Sequence, residues 1–247
     1  MTHRFFFFAG GDHKEGEGNA FTANFIRYQS EILGSSFSVI EGIYSSSPLK
    51  NVIWALHRAQ EPAAHPGRNR ILRSSVDQIL AGYRPLTEEL TLVSSSYGSV
   101  VAAQVACCLA EKLAGEETAA RPFNLALGAS MVSKQSGLYR KLAHYQETGI
   151  IGTLIYDELQ DEGDNSGGIG GTNRIEGYLN GLGICFPFLT SKFKGPSFLN
   201  NDPVSGHMHR VRAQSIQKAR DFVRVIFQEY RLAGEEAAER AEAVAGT

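Results

Sequence analysis

Cysteine, basic runs and long apolar stretches are all scarce in this chain, and each scarcity removes a class of protein. Only three cysteines, Cys107, Cys108 and Cys185, occur in 247 residues, and two of them are adjacent. An odd count with that spacing does not describe a disulfide framework and suits a reducing, cytoplasmic setting. Lysine and arginine number 24 against 26 acidic residues, a formal net charge of -2. They gather into no run that would neutralise a phosphate backbone, so no nucleic acid partner is expected. The opening apolar run covers residues 5–9, too short for a secretory signal core and far short of a bilayer, so no membrane span is expected. No proline-rich, polar or charged linker interrupts the chain, and 1–247 reads as one domain. A Walker-type lysine motif is missing, and the glycines at 167–171 open no strand-to-helix turn that would cradle a dinucleotide. No cofactor is expected.

What remains is an ordinary globular composition, 43% hydrophobic and 20% charged, with enough chain for a continuous core. Phe5, Phe6, Phe7 and Phe8 form an aromatic run that stops at Ala9-Gly10-Gly11-Asp12, as a strand buried on both faces does before a loop. A helix is expected at 20–33, where Phe21, Phe25, Tyr28 and Ile32 share a face and Gly34 closes it. Further strands are expected at 38–44, 90–93, 123–127 and 150–156, with a brief one at 197–199. Helices are expected at 74–83, capped by Ser74 or Ser75, at 100–113 before Gly115, at 138–145 and at 214–230. Residues 45–66 read as a polar, proline-bearing region around a short apolar segment at 52–56. The stretch at 161–172, DEGDNSGGIGGT, reads as a glycine-rich loop, and the region around 165–195 as a small lid or cap. Alternating strands and helices give an α/β fold with a mostly parallel central sheet in a three-layer α/β/α arrangement.

A serine exposed at the top of a parallel sheet needs a very sharp strand-to-helix turn, with small residues two positions to either side. Ser94-Ser95-Ser96-Tyr97-Gly98, between the strand at 90–93 and the helix that follows, meets that need with Ser96 at the tip. The segment resembles the Gly-x-Ser-x-Gly nucleophile elbow of the α/β-hydrolase superfamily. Gly98 matches the second glycine, and Ser94 stands where the family has the first. A serine-rich loop that only caps the following helix would use the same residues. The N–H of Tyr97, directly after Ser96 at a helix N-terminus, is placed to hold an oxyanion. The resemblance implies a second donor in the loop after the first strand, at Gly11 or Asp12.

It also implies the chain order serine, acid, histidine. His207 and His209 lie between the strand candidate at 197–199 and the helix at 214–230. His207, following Gly206, is the expected general base, with His209 as the alternate. The acid that steadies the imidazole is expected after the strand at 150–156, at Asp164 in Gly163-Asp164-Asn165 or at Asp161. The implied activity is cofactor-free cleavage of an ester or thioester, through an acyl-enzyme, on a small-molecule or acyl-chain substrate. Tyr97, Phe186, Phe188 and Phe198 are candidates to line an acyl pocket or to fill the core. Oligomeric state is left open.

Two other readings draw on the same residues. Gly206-His207-Met208-His209 resembles the Gly-His-x-His element of metallophosphoesterases, with Gly163-Asp164 in the place of their Gly-Asp. Their early Asp-x-His is replaced here by Asp12-His13, and neither Gly-Asn-His-Asp nor Gly-Asn-His-Glu occurs. A binuclear centre would lack most of its ligands, so no metal is expected. Ser94 in the place of the elbow's first glycine also leaves room for a non-catalytic binding or scaffold protein with a hydrolase-like fold.

Overall fold

The computed structural model describes residues 2–10, 36–45, 47–114, 121–128 and 130–156. Five strands form one sheet: β1 Thr2–Phe8, β2 Ser36–Val39, β3 Glu88–Ser95, β4 Phe123–Gly128 and β5 Ile151–Tyr156. Their order is β2-β1-β3-β4-β5, with every neighbouring pair parallel. The helices are α1 Pro48–Arg58, α2 Arg70–Gly82, α3 Tyr97–Ala114 and α4 Gly137–Glu147.

Alternation along the strands divides the sheet into two faces. Phe6, Phe8, Leu90, Leu92, Phe123, Leu125 and Leu127 belong to the core shared with the helices. There α3, buried along most of its length, packs on β1, β3 and β4 and also against α1, α2 and α4. Phe5, Phe7, Val93 and Ala126, from the alternate positions, are equally withdrawn from solvent. Both faces are covered, so the sheet is the middle of three layers, α/β/α, as the runs of apolar residues in β1 and β3 require. No helix among the described residues is long and apolar enough to cross a membrane.

Three local expectations are corrected. Residues 45–66 contain α1, because Pro48 occupies the first helical turn, where its missing N–H leaves no bond unmade. β2 stops at Val39 rather than continuing to 44; Ile40 and Ile43 turn into the core around Gly42, whose φ is +76°. α2 is capped by the Asn69 side chain, which accepts from the N–H groups of Ile71 and Leu72 at 3.0 and 3.4 Å, and Ser75 lies buried inside the helix. The helices expected at 20–33 and 214–230, the strand at 197–199 and the lid around 165–195 lie outside the described residues.

Candidate functional site at the Ser96 turn

The chain runs from β1 outward to β2 and from β3 outward to β4, so the sheet has a switch point at the carboxyl ends of β1 and β3, the position of the ligand crevice in open parallel sheets. The register brings the ends level: Phe8 pairs with Ser94, and Ser95 with Gly128. Ser96 is the one residue between β3 and α3. From 90 to 107 it is the only residue that is not buried. Its φ is +52°, and among the described residues no other non-glycine adopts the left-handed region. That conformation costs about 1–3 kcal/mol and persists where surrounding bonds over-determine it. Here the Ser96 N–H donates to the Gly128 carbonyl at 3.0 Å, and the Ser96 carbonyl accepts from the N–H and hydroxyl of Ser99 at 2.9 and 2.6 Å. The Ser99 hydroxyl oxygen in turn accepts from the Met131 N–H at 2.9 Å.

The two small positions flanking Ser96 serve close approach on opposite sides. Ser94 is fully buried and its hydroxyl donates to the Ala126 carbonyl at 3.0 Å, so its side chain is satisfied by β4. At Gly98 an added Cβ would overlap the carbonyl oxygens of Phe8 and Ala9, so the first turn of α3 lies directly on the end of β1. The Tyr97 ring belongs to the core. Its hydroxyl donates to the Ile43 carbonyl at 3.0 Å, and its ring meets those of Tyr44 and Trp54 at 5.6 and 6.0 Å. Burial pushes the phenol above its ordinary range. Tyr97 therefore faces the crevice through its backbone alone. As the first residue of α3 its N–H has no intrahelical carbonyl to meet, and it carries the positive end of the helix dipole.

His207, His209, Asp161, Asp164, Gly11 and Asp12 lie outside the described residues, as do Phe186, Phe188 and Phe198. β5, the strand the acid is expected to follow, ends at Tyr156, adjacent to Leu127 and at the same end of the sheet as Ser96. The two described thiols are poor rival nucleophiles: burial, their largest perturbation, pushes Cys107 up to about 12 and Cys108 up to about 11, so neither is a thiolate at neutral pH. Among the described residues no group of three or more histidines, cysteines and carboxylates is arranged to hold a metal ion. Ser99 is the site residue that sequence reasoning missed. A hydroxyl three positions after a turn residue is the available signal, because it can reach back to that residue's carbonyl. Compared with protein-family models, curated proteins and solved structures, the chain matches none.

Proposed function

We propose that the chain is a serine hydrolase acting on an ester or thioester, with Ser96 as nucleophile. The observation that carries the reading is the Ser96 backbone: among the described residues the one left-handed non-glycine, half-exposed at the tip of a β3-to-α3 turn at a switch point. In the reaction, the Ser96 hydroxyl oxygen bonds to the acyl carbon while its proton passes to an imidazole, His207 or alternatively His209, steadied by Asp164 or Asp161. The oxyanion is held by the Tyr97 N–H and by a second donor from Gly11 or Asp12. As the carbonyl re-forms, the bond to the alcohol or thiol breaks and the imidazole returns its proton to that leaving group. Water then cleaves the acyl-serine by the same route, releasing a carboxylic acid and restoring Ser96.

A serine-directed fluorophosphonate tests this. The wild-type chain is expected to be labelled and Ser96→Ala not, with ester turnover falling on the order of 10⁴-fold or more. Equal labelling of the two proteins sinks Ser96 as nucleophile.

A second reading, a binding protein without turnover, is favoured by the strand order. The order 2-1-3-4-5 recurs in doubly wound sheets that hold ligands at the same crevice without a serine nucleophile. Absence of labelling in the wild type, together with ligand binding at the crevice, would select it.

A further inference from the structure

A cavity of about 470 Å³ runs along one face of α1, lined among the described residues by Lys50, Ile53, Trp54, His57 and Arg58. The three- and four-residue steps put these side chains on one stripe. It is not the core stripe: Asn51, Ala55, Leu56 and Ala59 face inward, whereas Ile53 stays 43% exposed. Among the described residues the lining carries Lys50, His57 and Arg58 and no acid. His57 and Arg58 occupy the last turn, where cations suit the negative end of the helix dipole. Lys50 sits in the first turn, at the positive end, and α1 places no acidic residue there to offset it. The dipole therefore accounts for the charge at the end of the stripe but not for Lys50 at its start.

Trp54 of the lining also touches the residue after Ser96, its ring packing at 6.0 Å from that of Tyr97. Lys50 and Arg58 are separated by about 12 Å along the helix axis, more than one phosphate group spans. Ile53 and the half-exposed Trp54 between them offer apolar surface.

We propose that this cavity binds an organic phosphate, with Lys50 and Arg58 against phosphate oxygens and the apolar or ring portion on Ile53 and Trp54. As a statement of substrate class it rests on the hydrolase reading of Ser96: the ester or thioester carries a phosphorylated group. As a statement of binding it does not need a reactive Ser96.

Trp54 is the only tryptophan in the chain, so its fluorescence reports the site directly. In full-length Ser96→Ala protein, ADP is expected to change Trp54 emission saturably and adenosine is not, because the phosphates supply the attraction. Lys50→Gln and Arg58→Gln should each weaken ADP binding about tenfold. Added salt should weaken it further. Arg73→Gln, the same charge loss on α2, is expected to bind ADP as the parent does, and a thermal scan of each variant confirms that it is folded. The proposal is overturned if ADP gives no saturable change, if adenosine matches it, if Arg73→Gln is as impaired as Lys50→Gln, or if only phosphatidylglycerol vesicles produce a response. Fluorophosphonate labelling of wild type is read separately. Labelling without ADP binding removes this site and leaves the hydrolase; ADP binding without labelling keeps the site and removes the substrate claim.

Discussion

Ser96 carries a side chain where the backbone favours none, and Gly98 lacks one where a neighbour leaves no room. Replacing Ser96 with glycine should release the left-handed strain and stabilise the fold by about 1 kcal/mol, while removing the proposed nucleophile. Ser96→Ala retains its Cβ and should gain nothing; a urea midpoint for the glycine variant no higher than for the alanine variant would show that the turn is unstrained. At Gly98 the expectation reverses. Alanine in a helix is ordinarily better than glycine by roughly 1 kcal/mol. Here its Cβ would press on the carbonyls of Phe8 and Ala9, which are backbone and cannot turn aside, so Gly98→Ala should cost about 2 kcal/mol or more. A gain in stability would mean that α3 does not rest on β1. Ser96 and Gly98 were legible in the sequence because a sharp turn restricts residue size locally. The role of Ser94 was not, since its acceptor, the Ala126 carbonyl, is supplied by a strand 32 residues further on.

α3 does more than present Ser96, because one buried polar side chain within it organises the chain after α1. Gln104 donates through Nε2 to the carbonyls of Arg58 and Glu61 at 2.5 and 2.7 Å and accepts at Oε1 from the Ala63 N–H at 2.9 Å. Gln60 continues the link, its carbonyl accepting from the Leu138 N–H at the start of α4 at 2.8 Å. Gln104→Leu keeps the apolar volume but leaves three backbone groups without partners, and should cost about 2–3 kcal/mol. Hydrogen exchange should rise across 58–63 and stay unchanged in β3; protection lost uniformly, or not at all, would refute a local clamp. The same segment shows where sequence reading failed. Strands at 5–8, 90–93 and 123–127 were visible because burial on both faces leaves unbroken apolar runs. α1 was hidden by Pro48 and by its basic stripe, which reads as surface loop until the inward positions Asn51, Ala55 and Ala59 are seen together. The start of α2 was missed because Asn69 caps it one turn ahead of the serines that carry the more obvious signal.

At the scale of the sheet, the described residues separate the Ser96 turn from a set of perturbed titrating groups on β1 and β3. The Ser96 crevice occupies the carboxyl ends of the strands, while the perturbed ionisable groups of β1 and β3 lie at or near the amino ends. Glu88 is held below the usual carboxylate range, first by the Arg84 N–H at 2.9 Å and then by Arg4, whose Nε donates to it at 3.0 Å. Burial holds His3 below its ordinary 6.5, against the opposing pull of Glu89. His3 Nδ1 lies 3.4 Å from the Glu89 carboxylate and Nε2 lies 2.7 Å from the Thr91 hydroxyl, and protonation would make both ring nitrogens donors. Both folded values are depressed, so both groups stabilise the protein at high pH and lose that contribution on acidification, when the unfolded chain takes up protons first. The His3 loss begins as pH falls through 6.5, and the Glu88 loss begins below its ordinary 4.5. The melting temperature should therefore decline in two stages. His3→Gln should flatten the upper stage and Glu88→Gln the lower, each leaving the other in place. If His3→Gln leaves the decline below pH 6.5 as steep as in wild type, the buried imidazole is not its source.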